Sequence, residues 1–503
     1  MKNLLLLLAT SISLNCATAQ NMQLTIESKS AHDSLFKLVL LYADGHYSIP
    51  ALQIKTIKNR KTVTKLDIPF PVFALLKFDE AEKRILLIPG RNLSIHVGDS
   101  AEEHHLEFEG PAAKENQLIE ETRLGKIPFY LKDEKTQNRF ASMSQDSLEN
   151  YLFDAVKTDV SHTSAQINAA TVPDSIKLIL SNDYRYVQQC YLYDLSSNYM
   201  RWAKNPAADS FAGLVMRWLP IPDSAMLRSG FFVNMMTSYQ ERYAVNLMAK
   251  DMRTDKKAAT KKLETALGLP FDEIDRQVKL IGERYIIAWL YAKNNLPKSI
   301  QDKILFNKVL DAYSDGYINS ARILFDSLQM QFPRSAYLSI ARDQMAEMKR
   351  KFEVNSNNAA IKFYPDKKPA TLAELIKPYK GKIVYLDVWG TWCGPCRMEM
   401  DYVGEMKKAM KGKDITFLYL DMDDDSKENA WHEYVKFYGI EGEHYRLTNK
   451  QIEGHWQEIK AAGGESASYP RYLIFDRQGK LVHVNAERPS SKEKLYKQLN
   501  EIL

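Results

Sequence analysis

Trp392-Cys393-Gly394-Pro395-Cys396 sets two cysteines two residues apart, between segments of different period. Before it, Ile383-Val384-Tyr385-Leu386-Asp387-Val388-Trp389 is an apolar run that reads as a buried strand. After it, Arg397-Met398-Glu399-Met400-Asp401-Tyr402-Val403 reads as the opening of a helix. A Cys-x-x-Cys at a strand-to-helix junction places its first sulfur at the helix N-terminus. The unpaired amides and the positive end of the dipole there favour thiolate over thiol. Two intervening residues are also about the shortest span over which one helical turn can close a disulfide. The stretch reads as a redox-active pair.

At 503 residues the chain exceeds one ordinary domain, and roughly two to four are expected. Hydrophobic residues at 45% against 26% charged supply apolar surface for several cores. The net charge of +5 is small for this length, so neither nucleic acid nor an anionic membrane surface is an expected partner. The first residues read as a targeting segment. Met1-Lys2-Asn3 is a short basic start, Leu4 to Leu14 is mostly apolar, and Ala17-Thr18-Ala19 before Gln20 fits an A-x-A cleavage site. The expectation is a secretory signal peptide over 1–19, cleaved after Ala19, and a periplasmic protein. A lipoprotein anchored at Cys16 fits less well, because Ser13-Leu14-Asn15-Cys16 lacks the leucine three places earlier and sets a bulky Asn beside the cysteine. No later segment has the ~18 consecutive apolar residues of a membrane span. Without the signal, Cys190, Cys393 and Cys396 remain. One close pair is not a disulfide-stapled scaffold, so it is read as chemistry. Cys190 lies in a helical pattern and reads as a buried inert thiol.

The chain reads as multidomain. Residues 20–112 alternate in short runs separated by turn signals such as Asp44-Gly45 and Pro89-Gly90, and predict an N-terminal antiparallel β-sandwich. Lys55 to Lys65 reads as an exposed basic hairpin. Residues 113–352 change to helical period, punctuated by Pro173-Asp174-Ser175 and Pro222-Asp223-Ser224, and predict a central all-α region. Within it, Tyr317 to Lys351, divided at Pro333, resembles one helix-turn-helix unit of a tetratricopeptide-like array. The Met and aromatic stripe from Met226 to Met248 reads as core, and His104-His105 as surface. Val354-Asn355-Ser356-Asn357-Asn358 reads as a linker into an α/β region, 353–503. There helix is predicted over 371–379, 395–410, 427–438 and 490–503. Strand is predicted over 383–389 and 415–420, and a hairpin over 472–475 and 481–484.

At this point the residues resemble the thioredoxin superfamily, and within it the exported TlpA/ResA-like thiol–disulfide oxidoreductases. Trp392 to Cys396 reproduces the family motif. Asp387, six residues before Cys393, matches the buried carboxylate of thioredoxin, a position where many ResA-like members differ. Glu399, three after Cys396, matches the additional glutamate of the ResA-like branch. Tyr469-Pro470, followed by Arg471 to Asp476 and Gly479-Lys480, is similar to the family's cis-proline loop and hairpin. The resemblance covers about 360–503 and implies a C-terminal α/β thioredoxin fold. Ile88 to Leu93 and Phe108 to Asn116 resemble a β-rich domain of unknown function often fused to such modules.

Exchange chemistry needs an exposed, easily ionised sulfur, a second sulfur that resolves the mixed disulfide, and a proton acceptor. Cys393, at the helix start and facing solvent, is the expected nucleophile, and Cys396, one turn inward, the resolving thiol. Pro395 suits a first helical turn. Asp387, on a buried strand, is expected to have a raised pKa and to take the Cys396 proton. Glu399 either shares that task or is an ordinary first-turn acid. Trp392, Gly394 and Pro395 are expected to meet the substrate. The resemblance implies that Tyr469 and Pro470 do so as well, with an extended segment laid along the Tyr469 backbone.

Other readings of the pair fit less well. Zinc would need two more ligands, and there is no second Cys pair or close His pair. Covalent haem would need His where Arg397 stands. Asp421-Met422-Asp423-Asp424-Asp425 lacks Gly at the sixth position of a calcium loop, where Ser426 stands, and His432 replaces the final Glu, so it reads as a solvated loop. No metal and no cofactor is expected, since no nucleotide fingerprint is present. Electrons are expected from a partner, a membrane thiol carrier, and the substrates to be disulfide-containing periplasmic proteins. The alternative is a periplasmic binding or scaffold protein whose first 350 or so residues carry the main function, with an accessory redox module.

Overall fold

Every side chain from Ile383 to Trp389 is buried, which explains an apolar run without alternation: the strand lies inside a sheet covered on both faces. The computed structural model describes residues 21–28, 34–42, 52–56, 61–78, 81–98, 106–124, 127–219, 255–464 and 468–503. The expected signal peptide with Cys16, the Asp44-Gly45 turn, His104-His105, Pro222-Asp223-Ser224 and the stripe from Met226 to Met248 lie outside the described residues.

The N-terminal strands are β1 (Met22–Ser28), β2 (Ser34–Leu40), β3 (Leu52–Thr56), β4 (Lys61–Leu66), β5 (Val72–Phe78), β6 (Ala81–Leu87), β7 (Leu93–Val97) and β8 (Leu106–Glu109). They form two four-stranded sheets, ordered β4-β1-β7-β8 and β3-β2-β5-β6. Two expectations are corrected here. The sheets are not wholly antiparallel, because β1 and β7 pair in parallel. A parallel pair needs a crossover, and the strands of the other sheet supply it. Lys55 to Lys65 is not a hairpin either: β3 pairs with β2 and β4 with β1, so the chain changes sheets between them. Beyond them the chain turns helical, from Ala113–Glu121 to Lys298–Ser314. Cys190 is buried on the helix Asp174–Asp194.

By contact the chain divides into two units, Met1–Asn307 with Arg334–Ala336, and Lys308–Pro333 with Tyr337–Leu503. Helices of the second unit are α1 (Ile318–Gln331), α2 (Leu338–Ser356), α3 (Leu372–Ile376), α4 (Gly394–Ala409), α5 (Glu428–Tyr438), α6 (Glu453–Ala461) and α7 (Glu493–Asn500). Its strands are β9 (Ile361–Tyr364), β10 (Ile383–Trp389), β11 (Ile415–Asp421), β12 (Gly442–Arg446), β13 (Arg471–Phe475) and β14 (Leu481–His483). The helix α2 runs on through Ser356, where the sequence reads as a linker. Its polar end is accommodated because the Asn355 amide donates to the Phe437 carbonyl at the end of α5.

The sheet order is β14-β13-β10-β11-β12-β9, with β9 to β12 mutually parallel and β13 and β14 antiparallel. Ile383, Tyr385 and Trp389 face a core built with α4, α5 and α7. Val384, Leu386 and Val388 face a second core built with α3 and α6. Strand alternation places Asp387 on the first face, under α4. The strand β12 escapes sequence reading because Gly442 to Arg446 is polar, yet it lies inside the sheet. His444 is buried, its ring stacked on Tyr419 at 4.8 Å. Arg446, 2% exposed, donates to Asp425 and Glu428 at 2.8 and 2.7 Å.

Candidate active site

Cys393 is the N-cap of α4, and its sulfur accepts the backbone N–H of Cys396 at 3.2 Å. The amide and the helix dipole together stabilise negative charge on that sulfur. In this structure the two cysteines form a disulfide, with their Cα atoms 5.3 Å apart. Cys393 is 4% exposed and Cys396 fully buried, so the expectation of a solvent-facing first sulfur is corrected. The reason is packing: Cys393 belongs to the apolar core beneath α4, and Tyr469 packs against that core. Gly394 and Pro395 are exposed.

Trp392, 56% exposed, meets the Tyr469 ring edge-on at 5.1 Å, and Tyr469 meets Trp456 at 5.4 Å. Gly390 makes the Trp392 position possible, because a Cβ there would lie 2.6 Å from the indole nitrogen. The Tyr469–Pro470 bond is cis, as the resemblance implies, and Pro470 is buried. Beside it Arg471 donates to Ser468 Oγ at 2.7 Å and to Asn485 Oδ1, tying the loop to the segment after β14.

Asp387 is 1% exposed, and neither carboxylate oxygen has a hydrogen-bond partner among the described residues. Burial pushes its pKa well above the usual carboxylate range, and the charge of Glu399 pushes it further. Glu399 is fixed, not free: its oxygens accept the Ser490 N–H and Oγ–H, both at 2.9 Å. The register sets Asp387 beside Tyr419 of β11 and Tyr472 of β13. Burial raises the pKa of Tyr385, Tyr419 and Tyr472, and the Asp387 charge adds to it, so all three stay protonated at neutral pH. Sequence reasoning missed these tyrosines, because only the sheet register brings 419 and 472 to 387.

The acidic run after β11 is also corrected. Asp421 and Asp423 are buried, not solvated, and burial raises both carboxyls. Asp423 has a structural task, accepting the Thr391 hydroxyl at 2.5 Å just ahead of Trp392. Among the described residues no group of three or more His, Cys, Asp or Glu is placed to hold a metal ion.

Residues 355–499 match the Redoxin family. The chain is 31% identical over 127 residues to the thiol-disulfide oxidoreductase ResA of Bacillus thuringiensis subsp. konkukian, covering 25% of this chain and 67% of that protein. It is 27% identical over 105 residues to ResA of Bacillus subtilis, covering 21% and 53%. Among solved structures it is similar to the thioredoxin domain of a Bacteroides vulgatus thiol-disulfide oxidoreductase, at 20% identity over 25% of this chain and 82% of that one, with a TM-score of 0.21. On the strength of the ResA relatives and the Redoxin match, the chain belongs to the TlpA/ResA-like branch of the thioredoxin superfamily and is a thioredoxin-like thiol–disulfide oxidoreductase.

Proposed function

We propose that this protein is exported to the periplasm and there reduces disulfides of other proteins through Cys393 and Cys396. The Cys393 thiolate attacks a substrate disulfide, forming a mixed disulfide and releasing one substrate thiolate, which takes a proton from water. Cys396 then passes its proton to the Asp387 carboxylate and attacks the Cys393 sulfur. The second substrate thiolate leaves, and the Cys393–Cys396 disulfide holds the oxidation the substrate has lost. Two electrons from a membrane thiol carrier reset the pair. Export rests on the sequence of residues 1–19.

The observation that carries this reading is two unlike groups on one side of β10: a sulfur receiving the Cys396 amide at 3.2 Å in the core that Tyr385 and Trp389 face, and, on the same face by strand alternation, the Asp387 carboxyl with no hydrogen-bond partner among the described residues. Burial makes the Asp387 carboxylate a stronger base than an ordinary one, which suits it to take the Cys396 proton. Glu399, held by Ser490, acts on Asp387 through its charge. Trp392, Gly394 and Pro395 on one side, and Tyr469, set by the buried Pro470, on the other, form the surface an extended substrate segment meets.

The test is mechanism-based trapping. Cys396→Ser retains the attacking thiolate but cannot resolve, so it accumulates mixed disulfides, and mass spectrometry of these identifies the partners. Cys393→Ser should trap nothing and reduce nothing. Insulin reduction undiminished in Cys393→Ser would overturn the assignment.

A further inference from the structure

The turn Ser314-Asp315-Gly316-Tyr317, which ends the helix Lys298–Ser314, touches both flanks of the cysteine motif from within the second unit. On the C-terminal flank, Arg397 follows Cys396 directly and its N–H donates to the Cys393 carbonyl at 3.1 Å. Its side chain leaves α4 to donate to the Asp315 carboxylate and, at 3.4 Å, to the Ser314 carbonyl. Tyr438 donates to the same carbonyl, and the guanidinium lies 5.6 Å from the Tyr434 ring. On the N-terminal flank, the Tyr317 hydroxyl hydrogen-bonds with Thr391, which in turn donates to Asp423.

Between the two contacts, Gly316 has φ +74, and a Cβ there would lie 3.2 Å from the Tyr434 Cα. Positive φ and that close approach both require glycine. The Tyr317 N–H reaches back to the Ala312 carbonyl at 2.9 Å, closing the helix end. The turn is closed by that bond, and it lies against α5 and the cysteine loop together.

We infer that Asp315 is a positioning residue for the redox pair, holding the Arg397 guanidinium away from Cys393 and offsetting its charge. This rests on Cys393 being the attacking thiolate. Arg397 closes the first turn of α4 on the Cys393 carbonyl, so its backbone stands one turn from that cysteine. An unpaired cation there stabilises thiolate, lowers the Cys393 pKa and makes the disulfide a stronger oxidant. Paired with a buried carboxylate (Asp315 is 4% exposed) the cation contributes little field. Asp401, one turn further along α4, also faces Arg397 but is exposed and a weaker counter-charge. The helical segment ahead of the thioredoxin fold therefore tunes the redox pair as well as packing against it.

The test is a charge cycle in the full-length protein, read as the Cys393 thiol pKa from alkylation rate against pH. Asp315→Asn keeps the shape and unmasks the cation, and should lower that pKa by about half a unit, a roughly threefold change in thiolate. The same threefold change in the glutathione equilibrium is about 14 mV at 29.6 mV per tenfold, towards a less negative potential. Arg397→Gln unmasks the carboxylate and should raise the pKa by a similar amount. The double variant should return to the wild-type value, a sign pattern that loosened packing does not produce. Single variants that shift the pKa in the same direction, or leave it unmoved, would overturn the inference while Cys393 remained the low-pKa thiol. A wild-type Cys393 titrating as an ordinary thiol would instead overturn the underlying reading of the site.

Discussion

Asp387→Asn removes a titrating group while keeping its shape, and its consequence has a definite sign. In the unfolded chain the carboxyl ionises near ~3.9. In the fold burial, and after it the Glu399 charge, raise that value well above the ordinary. Between the two values the folded protein holds a proton that the unfolded chain has lost. Stability therefore falls as pH rises, by about 1.4 kcal/mol per pH unit, until Asp387 ionises in the fold, and the penalty is constant above that point. This is the reverse of the usual salt-bridged carboxylate, whose stabilisation is lost as pH falls. Because neither oxygen has a hydrogen-bond partner among the described residues, the substitution removes no bond seen there, and what it removes is the cost of an unpaired buried charge.

Amide hydrogen exchange of β10 reads this directly, since its protection reports the opening of the buried strand. Comparing variant and wild type at the same pH cancels the intrinsic exchange rate and every titration the two share, including those of Asp421 and Asp423. From about pH 5 upward, the ratio of variant to wild-type protection should rise about tenfold per pH unit and then level off. The pH at which it levels is the ionisation point of Asp387 in the fold. In the same variant, resolution of a pre-formed mixed disulfide should slow by about 10²-fold, the lower range for losing a general base. A ratio flat from about pH 5 to 8 would mean that Asp387 ionises as an ordinary carboxyl, and the proton-acceptor role would fail with it.

Glu399→Gln removes the charge that helps to raise Asp387, so the midpoint of the resolution rate against pH should move to lower pH; a move upward would contradict the assignment. Gly390→Ala drives a methyl into the Trp392 indole, and overpacking of about 1–3 kcal/mol should displace that ring, seen as altered Trp fluorescence on reduction and weaker substrate binding. Unchanged fluorescence would show that Trp392 does not rest on Gly390. Arg446→Met removes the donors to Asp425, Glu428 and the Asp423 carbonyl, and should cost about 2–4 kcal/mol in thermal unfolding of the second unit. A loss below about 0.5 kcal/mol would place Arg446 among dispensable surface pairs.

The thioredoxin fold was legible where one residue's neighbours in sequence are also its determinants. The run 383–389, the Cys-x-x-Cys, the helix after it and the closing hairpin follow from local pattern, the cis proline from the family resemblance, and the structure has each of them. Features that depend on partners distant in sequence were not legible. The polar strand β12 is interior because Ile440 hydrogen-bonds His444 while Asp423, Asp425 and Glu428 receive Arg446. The burial of Asp421 and Asp423 depends likewise on Thr391 and Arg446 closing over them. The parallel β1–β7 pair is invisible to a pattern that gives strand faces but not strand order. At the site, the resemblance implied a buried Asp387 serving the cysteines, but nothing in the sequence could show the tyrosines across the register or the Ser490 clamp on Glu399.

The arrangement of charge around the two sulfurs explains why so many groups hold one small loop. Stabilising the Cys393 thiolate makes it a better leaving group but a weaker nucleophile, and draws the potential towards oxidant. A reductase needs enough stabilisation to populate the thiolate and no more. The Cys396 N–H and the helix dipole supply a fixed amount, because both are built into the backbone of α4. Any mobile cation would add to it uncontrollably, and Arg397 is the cation one turn away. Its capture by Asp315 removes that variable, while Thr391, held from Asp423 and Tyr317, keeps the start of the loop from moving relative to the amide. On the inner side the same logic runs in reverse. On the proposed mechanism Asp387 gains from having no hydrogen-bond partner among the described residues, because a carboxylate stabilised by hydrogen bonds would be too weak a base to draw the proton from Cys396. The outer sulfur is stabilised by fixed donors and shielded from extra charge, and the inner proton acceptor is deprived of both. On the proposed mechanism, that opposition suits Cys393 to capture and Cys396 to release.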